Sequence, residues 1–218
     1  MARLLPWMEL CLQNKYEIII MANERLMPFR DYSEHEVINL FAFGDDAVTL
    51  STTDVIQAGS VVKVKTGWQN DQETEFIGNV GASYNNTVSQ RYGVTAEVEY
   101  TDGGADEAAL GITLYDVREY DENGEALKFN PRKAAELQAV LTGQAVPVCT
   151  KGLFLTATGA WNQPAGATAL AINVDVFATG NGKLTTLGAK AVNNRIGRTL
   201  GGPDADGSVL VKFDFTQG

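Results

Sequence analysis

The side chains able to do chemistry are few. The chain has one histidine, His35, and two cysteines, Cys11 and Cys149. A Ser-His-Asp triad would have to recruit His35 from an aromatic stretch, and no G-x-S-x-G elbow is present to expose a nucleophilic serine. His35 therefore reads as a surface or turn residue. A zinc centre needs three or four protein ligands, and these three residues stand at unrelated spacings. Both cysteines sit among apolar neighbours and read as small core residues, with no disulfide framework. Gly180-Asn181-Gly182-Lys183-Leu184-Thr185 superficially follows a phosphate loop. Phe177 stands where such a loop needs its first glycine, and no helix is written after it, so the segment reads as a hairpin turn.

Carboxylates offer two further candidates. The loops Asp102-Gly103-Gly104-Ala105-Asp106-Glu107 and Asp204-Ala205-Asp206-Gly207 place hard oxygen ligands at alternate positions, which suits Ca²⁺. Asp and Gly are equally the residues that turns select, and neither loop carries the ligand series of an EF-hand. No pattern sets two acids about a glycosidic bond. The expectation is a protein that is not an enzyme, with no cofactor and no resident metal.

Residues suited to recognition are more plentiful. Trp68 and Trp161 lie in polar, glycine-rich surroundings. Such tryptophans bind sugars or partner proteins, or fold back on their own core. Residues 21–45 form an arm that contains Met27, Phe29, Arg30, Tyr32, Phe41 and Phe43. These serve either as core or as contacts to a partner.

The elements that must position these groups are mostly strands. Within the arm, Ser33-x-x-Glu36 before Val37-Ile38 is a capping-box pattern and predicts a short helix or turn. Val61 to Lys65 alternates as a half-exposed strand. Val94, Ala96, Val98 and Tyr100 share one strand face, and Ile112 and Leu114 belong to another strand. Asn123-Gly124 between apolar runs signals a two-residue hairpin, with Ala126 to Phe129 returning. One helix is written over about 130–142: Asn130 caps it, Pro131 opens it and Gly143 closes it. Its Leu137, Val140 and Leu141 form a docking face. Later strands are Lys151 to Leu155, Ile172 to Val176 and Val209 to Phe215. The fold class is mainly β (α+β): a compact β-barrel or β-sandwich-like domain over residues 46–218, with one docked helix.

Composition bounds the partners. Of 218 residues, 44% are hydrophobic and 20% charged, an ordinary globular balance. The formal charge of −10 argues against a phosphate-backbone binder, so no nucleic-acid partner is expected. The longest apolar run, Ile18 to Ala22, falls far below the roughly 18 residues that span a bilayer, so no membrane partner is expected either. Residues 1–20 have an odd composition, and Met21-Ala22-Asn23-Glu24 reads like a second start. They are expected to be an appended segment or a gene-call extension. A signal peptide explains them poorly, because Glu9 cuts the apolar stretch and no small-residue cleavage site follows.

From Leu110 to Phe154 the chain carries Gly111-Ile-Thr-Leu-Tyr-Asp-Val, Lys133-Ala-Ala-Glu-Leu, Val140-Leu-Thr-Gly-Gln-Ala-Val-Pro-Val and Thr150-Lys-Gly-Leu-Phe. It ends with Ile196-Gly-Arg-Thr-Leu and Asp204-Ala-Asp-Gly-Ser-Val-Leu-Val-Lys-Phe. These segments resemble head decoration (cement) proteins of tailed bacteriophages. The resemblance implies a virion protein on the capsid exterior, made in the host cytoplasm. It would bind the major capsid protein lattice after expansion, associate with itself as a dimer or trimer, and stabilise the head. It implies no catalytic residues. The partner-binding candidates are then Phe29, Arg30 and Tyr32, with Phe41, Trp68 and Trp161, and the arm is a segment suited to adding a strand to a neighbour's sheet edge. The alternatives are another virion part, such as a tail-tube or minor structural protein, and a carbohydrate-binding module or glycoside-active enzyme using Trp68 or Trp161.

Overall fold

A computed structural model describes residues 24–44, 55–67, 96–104, 107–188 and 195–215. Residues 1–20, Trp68, Val94 and Asp106 lie outside them. The fold is mainly β, with two six-stranded sheets. The first sheet is built from β1 (Leu26–Asp31), β10 (Lys151–Thr156), β14 (Val209–Asp214), β13 (Arg195–Thr199), β11 (Asp175–Thr179) and β12 (Lys183–Thr185), in that spatial order and antiparallel throughout. The second runs β2 (Val37–Ile38), β9 (Val148–Cys149), β6 (Gly111–Thr113), β4 (Val61–Thr66), β5 (Glu97–Tyr100) and β3 (Ala42–Phe43). Its last pair, β3 with β5, is parallel. Of the two expected architectures, the sandwich-like one is formed; neither sheet closes into a barrel among the described residues.

Alternation in the sequence explains the layering. Val209, Val211 and Phe213 are fully buried and pair with β10 in unbroken register from Thr156↔Val209 to Lys151↔Asp214. With Phe154, Val176, Leu184 and Ile196 they meet Val61, Ile112 and Cys149 of the second sheet, forming the principal core between the sheets. Each such side chain contributes roughly 1.5–3 kcal/mol by leaving water.

Val61 to Lys65 departs from the half-exposed pattern. Val61 and Val62 are both 0% exposed. Successive strand residues point to opposite faces, and here both faces of the second sheet are covered. Val61 enters the principal core, while Val62, Val98 and Val148 join Phe41, Phe43, Ile56, Val117 and Val146 in a second cluster on the far side. Val64, further along the strand, is exposed.

The helix is shorter than expected. Asn130 caps it by accepting from the Lys133 N–H at 3.3 Å, and Pro131 occupies the first turn. However, α1 spans only Pro131–Glu136. Gln138 turns left-handed at φ 50°, and β8 (Ala139–Val140) pairs in parallel with β7 (Asp116–Val117). Pairing and burial of Ala139 to Leu141 override their helical spacing. Leu141 and Ala139 instead pack with Leu127 in a small third cluster, to which Leu137 and Ala134 add. Gly143, at φ 82°, shapes the turn after β8 rather than a helix end.

Two other segments also differ. Around Asn123-Gly124 only Gly124 has positive φ. The buried Asp121 carboxylate accepts from the N–H groups of Asn123 and Glu125 and from the Lys133 ammonium, so a side chain organises the turn. The returning residues Leu127–Phe129 make one 3₁₀ turn, not a strand. Ile172 is 72% exposed, and Asn173 is left-handed, so β11 starts only at Asp175. The Gly180-Asn181-Gly182 loop does join β11 to β12 as a hairpin, closed by Thr179↔Lys183.

Candidate functional site

The arm enters both sheets: β1 belongs to the first, and β2 and β3 belong to the second. β1 pairs antiparallel with β10 through Arg30↔Phe154 and Asp31↔Leu153. The backbone edge that the sequence reading offered to a neighbour is thus taken by β10 of the same chain. Among the described residues β1 is an outermost strand of the first sheet. Three side chains tie the arm down. Arg25 donates from Nη1 to Ser60 Oγ and to the carbonyls of Asn181 and Gly182, and lies 5.4 Å from the Tyr100 ring centroid. Burial lowers the pKa of its guanidinium. Arg30 donates to the Leu114 carbonyl at 2.9 Å. Tyr32 stacks on Phe154, with centroids 5.7 Å apart and planes 15° apart.

What remains presentable is therefore specific. Phe29 is 50% exposed and Tyr32 37%. Phe29 stands in the widened stretch between the pairs Leu26↔Thr156 and Arg30↔Phe154, where the register shifts. Phe41 is core, packed in the second cluster. Trp161 is folded back: its indole N–H donates to Thr156 Oγ1 at 3.0 Å, and its ring packs against the principal core.

Behind the arm lies a recess of about 190 Å³, whose polar lining includes Arg30, Gln57, Asp116 and Gln138. Asp116 Oδ1 accepts from the Ala58 N–H at 2.7 Å. Burial pushes this carboxyl up, against that hydrogen bond and the charges of Arg118 and Arg30. The recess can receive a polar side chain.

In the described parts of the acidic loops the carboxylates bond to their own loop backbone and to neighbouring side chains. Glu107 accepts from the N–H groups of Asp102, Gly103 and Gly104 and pairs with Lys63 at 2.6 Å. Burial raises the Glu107 carboxyl, but Lys63 and the amides outweigh it and hold the group below its ordinary range. Asp206 accepts from the N–H and hydroxyl of Ser208. His35 is exposed on a single 3₁₀ turn capped by Ser33. Cys149 is fully buried, and desolvation pushes its thiol up.

Sequence reasoning missed Tyr115, Phe129 and Leu200, each exposed. Phe129 was expected on a returning strand that is instead a 3₁₀ turn, and the mixed segments around Tyr115 and Leu200 gave no face on which to place them.

In comparisons with known proteins, no family model, no curated protein and no solved structure matches this chain.

Proposed function

We propose that this chain is a structural virion protein that binds the outer surface of a major capsid protein lattice and stabilises the expanded head. The observation that carries the reading is the anchored arm. Arg25, Arg30 and Tyr32 spend their bonds and contacts on the chain's own sheets, yet they leave Phe29 half in water on an outermost strand. A rigid strand with a protruding aromatic side chain suits docking onto a preformed surface, because little entropy is lost on binding. The resemblance of Leu110–Phe154 to phage head decoration proteins supports the same reading. Repetition over a lattice multiplies modest individual contacts through avidity.

The test is sedimentation of purified protein with expanded heads of the phage that encodes it. Saturable binding to heads, with no binding to naked DNA, is expected. Failure to co-sediment at any concentration overturns the reading. Density on the tail rather than the head in electron micrographs would favour another virion role.

A further inference from the structure

The first sheet has a second face, and its composition is unusual for a face turned to water. Antiparallel sheets with one solvated side normally alternate apolar-in and polar-out. On β10 and β14 the inward positions include Phe154, Val209, Val211 and Phe213, all fully buried. The outward positions between them include three leucines. Leu155 and Leu210 are directly paired across the ladder, and Leu153 is paired with Lys212. All three are half-buried. Leu200, 44% exposed, continues this apolar strip, since its N–H donates to the Leu210 carbonyl.

Around the leucines the charge is inverted relative to the rest of the chain. Lys151, Arg195, Arg198 and Lys212 rise from this face. Among the described residues the acids between them are Asp175, whose Oδ1 accepts from both arginines at 3.2–3.3 Å, and Asp214, which lies 3.7 Å from Lys151. At the sheet's two edges Asp31 and Lys183 offset each other. A chain of net charge −10 thus carries a cationic centre on one sheet face.

One pairing sharpens this. Arg198 and Lys212 stand directly opposite each other on β13 and β14. Like charges at opposed positions destabilise a ladder. Lys212 is exposed and makes no ion pair or side-chain hydrogen bond among the described residues. Between these strands lies a notch of about 170 Å³, lined by Arg195, Gly197, Arg198, Lys212 and Asp214. Gly197 lines it with backbone alone, since its pairing with the buried Phe213 places it on the inward face.

We propose that this face is a docking surface for an acidic protein partner. A carboxylate side chain of the partner enters the notch between Arg198 and Lys212, and an apolar patch seats on Leu153, Leu155 and Leu210. An apolar centre with a charged rim is the usual anatomy of a specific protein interface. Asp175 already serves Arg198, and a partner carboxylate in the notch would give Lys212 a counter-charge as well. The inference rests on the proposed virion role and names the surface through which it acts, together with the chemistry of the partner.

The experiment measures binding of full-length protein to expanded heads for wild type, Lys212→Glu, Arg198→Glu and Leu155→Thr, with Lys128→Glu as a control outside this sheet. Lys212→Glu and Arg198→Glu should weaken binding by about tenfold or more. The melting temperature of Lys212→Glu should stay level or rise, because the like-charge pair is gone, whereas Arg198→Glu also loses its bonds to Asp175 and should melt lower. Leu155→Thr should weaken binding while keeping the strand, and Lys128→Glu should bind as wild type. Raised salt should weaken the wild type and leave Lys212→Glu less affected. If wild type binds heads and all the face variants bind equally well, this inference falls while the virion role stands. If wild type does not bind heads, both fall. If instead the wild type binds plasmid DNA through Lys212, the acceptor is phosphate and the proposal is overturned.

Discussion

Tyr32 lies flat against Phe154, ring planes 15° apart and centroids separated by 5.7 Å. One residue belongs to the arm and the other to the middle of the principal core, where Phe154 also meets Phe213 at 5.9 Å. The arm is therefore positioned by the core itself. Tyr32→Ala should remove the stack and uncover Phe154, costing about 1–2 kcal/mol of stability. Phe29→Ala, on the same arm but half in water, should change stability by no more than about 0.5 kcal/mol. Urea unfolding separates the two. The reverse order of effects would mean that Phe29, not Tyr32, holds the arm.

Arg25 fixes the arm's beginning to the hairpin between β11 and β12. One guanidinium nitrogen serves three acceptors, and the group also lies over Tyr100. Lysine keeps the charge but not the planar fork. Arg25→Lys should therefore destabilise by about 1–3 kcal/mol and speed proteolytic cleavage within the arm. Unchanged cleavage would show that β1's pairing with β10 suffices.

Gly111 sits where the backbones of β6 and β9 come close. A Cβ there would lie 2.5 Å from the Cys149 carbonyl oxygen and 2.7 Å from Val148 Cγ1. Neither neighbour is the free end of a flexible side chain. Gly111→Ala should cost about 1–3 kcal/mol by overpacking, read as a lower urea midpoint at an unchanged slope.

Acid sensitivity should trace in part to Glu107. Burial alone would raise its carboxyl, but the Lys63 ammonium and the amides of Asp102 and Gly103 hold it below its ordinary value of 4.5. A carboxyl that titrates lower when folded stabilises the protein above its unfolded pKa, and that contribution is lost as pH falls through the folded value. Glu107→Gln should thus be less stable than wild type at pH 7, with the gap closing as pH drops well below 4.5. Urea unfolding at several pH values checks this. A gap that is constant with pH would place the role of Glu107 in packing rather than charge.

How much of this was legible beforehand depends on where burial and local pattern agree. Val209, Val211 and Phe213 alternate without interruption, and their strand lies where the pattern puts it. Asn130-Pro131 likewise marks the helix start. The helix end was hidden, because Leu137, Val140 and Leu141 have helical spacing, while the partner that draws Ala139–Val140 into a strand is Asp116–Val117, some two dozen residues earlier. Val62 shows the same blindness. Its alternation gives a one-sided strand, and only the second cluster covering the other face explains its full burial. For the site, the arm's aromatic residues stood out by type. Which of them would protrude did not, since Phe41 and Phe29 differ only in what folds over them. The outward leucines of β10 and β14 were invisible for a related reason: Leu153 and Leu155 gain their meaning only once Leu210 is paired beside them.

The most direct measurement is a cryo-electron-microscopy map of the purified virion, fitted with this fold. The account predicts copies of the two-sheet domain on the outside of the expanded head, contacting major capsid subunits through the β1 arm and the first sheet's outward face. Density for the chain confined to the tail, or its absence from virions whose heads are intact, would contradict it.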